Sequence, residues 1–235
     1  MVQPVRRLTQ LVVGLWVYGL SMAFLVRSSL GVMPWDVLHQ GIARHVHWSL
    51  GTVVIVTSAI VLVGWIPLRQ RPGIGTIANA LLIGVAVNVW LALLPHPRAV
   101  PAQAAFAAVG IGLNALATAA YIGAGLGPGP RDGLMTGLVS RTRWQVRPVR
   151  TAIEVVVVGT GWLLGGSLGI ATVAYALSVG PLIHLLLPRL AVVTRPAAVA
   201  QDARSTIVPA WLRRKRPGAV PHMRENAREN AYSEV

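Results

Sequence analysis

Gly31-Val-Met-Pro34-Trp-Asp36 and Gly127-Pro-Gly-Pro130-Arg-Asp132 are the two stretches that decide the fold. They lie 96 residues apart, and the same shift continues outward from them without a gap. It pairs Leu30 with Leu126, Leu38 with Leu134, Gly41 with Gly137 and Trp48 with Trp144. Further on it pairs Ile74 with Ile170, Thr76 with Thr172, Ala78 with Ala174, Leu81 with Leu177 and Gly84 with Gly180. Small and apolar residues coincide by chance in any two apolar helices, so the Asp and Trp pairs carry most of the weight. Self-similarity at a fixed spacing is the mark of a duplicated structural unit.

The composition says where that unit lives. The 235 residues are 54% hydrophobic and only 12% charged, with a mean hydropathy of +0.61. A soluble domain does not carry that much apolar surface. The formal net charge of +14 would ordinarily raise nucleic acid as a partner. The basic residues, however, border long apolar runs, where Lys and Arg record membrane topology, and nucleic-acid binding is set aside on that ground. There is no cysteine, so disulfides, thiolate metal sites and Cys nucleophiles are excluded.

Crossing the hydrocarbon takes about 20 predominantly apolar residues as a helix. Such segments occur at 8–26, 50–68, 74–94, 103–123, 148–164 and 168–187, separated by breakers at Pro34, Arg69 to Gly73, Pro95 to Pro101, Gly125 to Pro130 and Pro188. The stretch 11–26 after Arg6 and Arg7 superficially fits a signal peptide, but it aligns with the internal segment 107–122 and is therefore expected to be retained. The predicted fold is an all-α polytopic membrane protein of about six transmembrane helices. Residues 1–94 and 103–188 form two three-helix repeats, each with a short interfacial or re-entrant helix, followed by a basic tail over 189–235.

An odd number of spans per copy inverts the second copy relative to the first. Arg6, Arg7, Arg69, Arg71, Arg131, Arg141, Arg143, Arg147, Arg150 and the tail then share one side, against Arg27, Arg44 and Arg98 on the other. That bias predicts inverted repeats in the cytoplasmic membrane with both termini cytoplasmic. The segment 36–47 is too short to span. Its His and Arg content, costly at depth, favours a position flat at the interface.

Before the tail the only acidic residues are Asp36, Asp132 and Glu154. The two aspartates occupy equivalent repeat positions after a proline turn, where a carboxylate is expected to cap the first turn of a short helix. Alternatively, the two helix ends face each other and line a shared polar site with Arg131. Glu154 lies inside the fifth span, where an ionisable group is by default a functional candidate. Arg150, one turn earlier, offers it a local ion pair. Asp36, Asp132, Arg131 and Glu154 are thus the candidate substrate-binding residues.

Asn79, Asn88, Asn114, Tyr175 and His184 are expected to bridge helices by hydrogen bonds, with the repeat equivalents Asn88 and His184 placed to meet. His39, His45 and His47 do not converge on one helix face, so no metal or other cofactor is predicted. The glycines at 123, 125, 127 and 129 follow no soluble strand, which leaves a phosphate loop unsupported. Trp16, Trp48, Trp65, Trp90, Trp144 and Trp162 sit near span ends, as interfacial anchors do. In the tail, Trp211-Leu-Arg213-Arg-Lys-Arg216 suits anionic lipid headgroups.

The strings Leu30-Gly-Val-Met-Pro-Trp-Asp-Val-Leu-His-Gln-Gly41, Pro67-Leu-Arg-Gln-Arg-Pro-Gly-Ile-Gly-Thr76 and Gly127-Pro-Gly-Pro-Arg-Asp-Gly-Leu-Met135 together resemble the YczE/YitT-type family of bacterial integral membrane proteins. The likeness covers about residues 10–190. It implies a small multi-span protein with no established substrate or reaction, and no catalytic residues to carry over. Two function classes stand on the sequence: a small secondary transporter or permease, and a non-transporting membrane scaffold or partner. An enzyme is not expected, since no Ser/His/Asp, His/Glu metal or paired-carboxylate arrangement falls within the spans.

Overall fold

The computed structural model describes residues 2–192, and within them the chain is entirely helical. The order is α1 Val2–Ser28, α2 Pro34–Val46, α3 Leu50–Leu68, α4 Ile74–Leu93, α5 Val100–Ala124, α6 Pro130–Thr142, α7 Val146–Leu163 and α8 Ile170–Leu190. The tail was expected from residue 189, whereas α8 runs to Leu190. From residue 193 onward the tail lies outside the described residues, as does the Trp211 to Arg216 segment.

The duplication is visible in the backbone. α2 and α6, α3 and α7, and α4 and α8 each start 96 residues apart. Every left-handed residue has its counterpart at the same spacing: Ser29 and Gly125, Gly31 and Gly127, His47 and Arg143, Arg69 and Gly165. The halves also exchange equivalent bonds. Gly75 N–H donates to Leu126 O and Ala171 N–H to Leu30 O, both at 2.9 Å, with donors and acceptors at positions 96 residues apart. Thr76 and Thr172 each accept from the glycine amide three residues before them, fixing the start of α4 and α8.

The centre is the α1/α5 pair, joined through small residues. A Cβ on Gly14 would stand 3.2 Å from Ala120, and one on Gly110 would stand 2.9 Å from Leu25. Close backbone approach of this kind is how helices pack where no hydrophobic effect drives them together. Leu11, Leu15, Met22 and Leu25 of α1 are fully buried against this seam. The outer faces are apolar instead of charged: Ile60, Val63, Ile66, Leu93, Val155, Val156, Leu163 and Ile170 are all more than 60% exposed. A surface like that is unfavourable in water and ordinary in lipid.

Five helices, α1, α3, α4, α5 and α8, are long and apolar enough to cross a membrane. The sequence reading counted about six. The sixth, α7, has the length, 18 residues or about 27 Å. It falls short in composition because Arg147, Arg150 and Glu154 sit in its first half.

α2 and α6 are not laid flat on the outside of the bundle. α2 packs along α7 and α6 along α3. Pro34 at the start of α2 lines a cavity together with Glu154 of α7, Leu38 and Gly41 pack against Gly161 and Leu164, and Arg44 to His47 at the other end are exposed. Pro130 at the start of α6 bonds Trp65 of α3 and lines a smaller cavity together with Ser58. Each short helix is thus packed against one of the long helices, α2 with its outer end exposed. His39 is 1% exposed, its imidazole bonded to the Asp36 carboxylate inside the fold.

The two short-helix contacts are made with exchanged sizes. In one, Gly133 of α6 leaves room for the indole of Trp65, whose Nε1–H donates to Pro130 O at 3.0 Å. In the other, Gly161 of α7 leaves room for Val37 and Leu38 of α2. Trp65 is thus buried and not an interfacial anchor, whereas Trp48, Trp144 and Trp162 are exposed.

Candidate functional site

The helix starts of α2 and α6 converge beside the middle of α1. Tyr18 lies ten residues before the end of α1, about 15 Å along its axis. Its hydroxyl nevertheless reaches Met33 Sδ at 4.0 Å, so residues 29–33 fold back along α1 before α2 begins. This return places Asp36 near Arg131 of the other repeat, with Oδ1 3.9 Å from the guanidinium.

Neither aspartate caps its helix. The N-caps are Met33 and Gly129, prolines follow at the first helical position, and no side chain accepts the free amides. Asp36 and Asp132 stand inside the first turn, and their carboxylates turn away from the amides to other side chains. Asp36 is fully buried; one oxygen accepts from His39 Nδ1 at 3.0 Å, and the other has no partner among the described residues. Asp132 accepts from the Tyr121 hydroxyl at 2.5 Å, the short distance of a bond to a charged acceptor.

Between α7 and α8 opens a cavity of about 240 Å³, whose wall includes Tyr18, Trp35, Tyr121, Arg131, Asp132, Arg150, Glu154 and Tyr175. Of the four residues singled out by sequence, Arg131, Asp132 and Glu154 are brought into this wall together. Asp36 lies just behind it, against Arg131. Arg150 donates to Glu154 at 3.0 Å, so the expected local ion pair forms at the cavity's edge, with both groups partly exposed. The Arg131 guanidinium lies 4.9 Å from the Trp35 ring centre, a cation–π contact, and donates no hydrogen bond among the described residues.

A second, much smaller cavity of about 50 Å³ lies between α3 and α4, walled in part by Val54, Ser58, Asn79 and Ile83. These are the repeat equivalents of Arg150, Glu154, Tyr175 and Val179 in the larger one. The two cavities share Tyr18, Tyr121, Arg131 and Asp132. They differ in size because α3 and α4 touch while α7 and α8 stand apart. Gly51 and Gly84 bring the first pair into backbone contact, and Asn88 seals it by accepting from Gly51 N–H at 2.8 Å and donating to Ser49 at 2.9 Å. Gly180, the equivalent of Gly84, has nothing within 4 Å of where a Cβ would be.

The bridging expectation holds for three residues. Asn114 donates to Ser21 of α1 at 3.0 Å and accepts from Tyr175 of α8 at 2.8 Å, and Asn88 joins α4 to α3. Asn88 and His184 do not meet, since Asn88 is taken up by α3 and His184 lines the larger cavity. Sequence reasoning passed over Tyr18, Tyr121 and Trp35. For Tyr18 a signal was present: it is the repeat equivalent of Asn114, so both copies carry a polar residue at mid-helix. Tyr121 corresponds to Leu25 and gave none. Among the described residues no three His, Cys, Asp or Glu side chains gather as a metal site.

The sequence is 35% identical over 182 residues to an uncharacterized protein of Haemophilus influenzae, covering 77% of this chain and 84% of the relative. It is 32% identical over 190 residues to the uncharacterized membrane protein YczE of Bacillus subtilis, covering 77% and 87%. With the uncharacterized protein YyaS of Bacillus subtilis it shares 22% identity over 180 residues, 75% of this chain and 90% of that one. No solved structure gives a significant match. The profile of the family of unknown function DUF6198 matches residues 5–188, the whole of the duplicated bundle. The chain is therefore a multi-pass membrane protein that belongs to the DUF6198 family, of the YczE type.

Proposed function

We propose that this protein is a small secondary transporter of the bacterial cytoplasmic membrane, a carrier and not an enzyme, with both termini in the cytoplasm. The observation that carries the reading is the pair of repeat-equivalent cavities, one of about 240 Å³ and one of about 50 Å³, that meet on four shared residues. Inverted repeats supply two access routes to one central site, and a carrier exposes that site through one route at a time.

Several features support the inverted arrangement. Arg7, near the start of α1, donates to Ala124 O at the end of α5, and Gln10 donates to Leu190 O at the end of α8. Arg27, near the end of α1, donates instead to Leu91 O near the end of α4. Repeat-equivalent helices α1 and α5, and α4 and α8, thus run oppositely. With the charge bias setting the cytoplasmic end, the α7/α8 gap faces inward and the Gly51–Gly84–Asn88 contact closes the outward route. In this reading the short helices are re-entrant, which suits helix ends and irregular backbone that border a polar cavity within the bilayer.

The absence of native cysteine allows a clean test. Ile183→Cys, in the larger cavity, and Ser58→Cys, in the smaller, are labelled with a membrane-impermeant maleimide in oriented vesicles. Ile183→Cys is expected to react from the cytoplasmic side, and Ser58→Cys slowly and only from the opposite side. Reaction of both from one side, or of Ser58→Cys from neither, removes the basis for alternating access.

A further inference from the structure

We infer that the cavity takes a small dipolar solute carrying both a carboxylate and an ammonium group, such as a free amino acid. The inference rests on reading the cavity as the carrier's binding site, and it is drawn from how the wall's charges are already used.

Arg150 and Glu154 satisfy each other at 3.0 Å and leave no net charge at the rim. Arg131 and Asp132 are left. Adjacent on one helix, they point apart and cannot close on each other, since only residues three or four apart face one another. Asp36, 3.9 Å from the guanidinium, attracts it without bonding it, so the planar fork that matches a carboxylate keeps its donors free. The uncapped first turns of α2 and α6 add partial positive charge on the same side. Asp132 has one oxygen taken by Tyr121, and its other oxygen makes no hydrogen bond among the described residues. The aromatic rings of Tyr18, Tyr121 and Tyr175 line the same cavity, surfaces that favour an ammonium.

Arg131 and Asp132 are thus two unlike charges held apart in the wall, each with hydrogen-bonding capacity left over, with the buried Asp36 behind Arg131. A bare cation would meet Arg131, a bare anion would meet Asp132, and only a solute bearing both signs answers both. The cavity, about 240 Å³, is below the roughly 300–1,000 Å³ of pockets for drug-sized ligands, which limits the solute to a small metabolite. Because Arg131 and Asp132 border both cavities, the same pair would hold the solute whichever route is open.

The test uses the full chain in lipid nanodiscs and free L-amino acids one at a time, each with its methyl ester, which keeps only the positive charge, and its N-acetyl derivative, which keeps only the negative. Thermal stability and equilibrium binding are both read. At least one free amino acid is expected to bind at least ten-fold more tightly than either derivative. Arg131→Gln should abolish the preference over the ester, and Asp132→Asn the preference over the N-acetyl form. Arg131→Lys, which keeps the charge, should bind more weakly yet still discriminate, which guards against loss of folding in the glutamine variant. Equal binding of a singly charged derivative, or no binding by any free amino acid, overturns the inference. Uptake into proteoliposomes separates the two readings. Binding without uptake keeps the solute class and overturns the carrier, whereas uptake of a singly charged solute alone does the reverse.

Discussion

Gly84→Ala and Gly180→Ala place the same change at the same position of the two repeats, and the structure assigns them opposite outcomes. A Cβ on Gly84 would come within 2.5 Å of Gly51 O and 2.5 Å of Ile55 Cγ1, where 3.4 Å is ordinary contact. The isoleucine can turn aside, but the carbonyl is backbone, so α3 must retreat from α4 by about 0.9 Å. Overpacking of this sort costs about 1–3 kcal/mol. A Cβ on Gly180 would touch nothing within 4 Å. Both variants gain the same helix propensity, about 1 kcal/mol for Gly to Ala, which cancels between them. Their difference in stability should therefore be about 1–3 kcal/mol, with Gly180→Ala the more stable. At roughly 2–4 °C per kcal/mol for a chain of this size, thermal unfolding in nanodiscs resolves that gap. Equal midpoints, or a lower one for Gly180→Ala, would refute the claim that close packing of α3 on α4, and its absence between α7 and α8, sets the sizes of the cavities.

Tyr121→Phe removes the hydroxyl that donates to Asp132, a bond to a charged acceptor worth about 1.5–3 kcal/mol. A fall of that size in chemical or thermal stability is expected, and an unchanged midpoint would show Asp132 satisfied by water. Trp65→Phe keeps most of the buried ring but removes the indole N–H that donates to Pro130 O, a hydrogen bond worth about 0.5–1.5 kcal/mol. Thermal unfolding should show that loss, and its absence would mean that the indole nitrogen does not help to hold α6.

Much of the bundle was legible because its determinants are local or periodic. The 96-residue shift needed only matching strings, and the bounds of α3 are set by Ser49, which accepts from Thr52 N–H, and by Arg69 in left-handed conformation, both neighbours in sequence. The surroundings of the short helices were not legible. Three His and an Arg in a dozen residues point to the surface by composition, and only tertiary contact shows that His39 is buried against Asp36 while Arg44, His45 and His47 are exposed at the other end. The aspartates misled for a related reason. A carboxylate just after a proline turn fits a cap by spacing, but Asp36 stands across from Arg131 of the other repeat, a partner 95 residues away. The cavity was half legible: its charged residues are rare enough in apolar helices to be picked out singly. Tyr121 gave no warning, because its role comes from a side chain reaching back from the end of α5 to the start of α6.

The exchange of sizes at the short helices means that neither half of the chain can partner itself. Two first halves would set Trp65 against Val37, an indole driven into a side chain where the fold provides a glycine. Two second halves would set Gly161 against Gly133 and leave a gap in place of a ring. Each half is a mould for the other alone, so the covalent linkage of unlike copies secures a fit that a symmetric dimer of either one would lack.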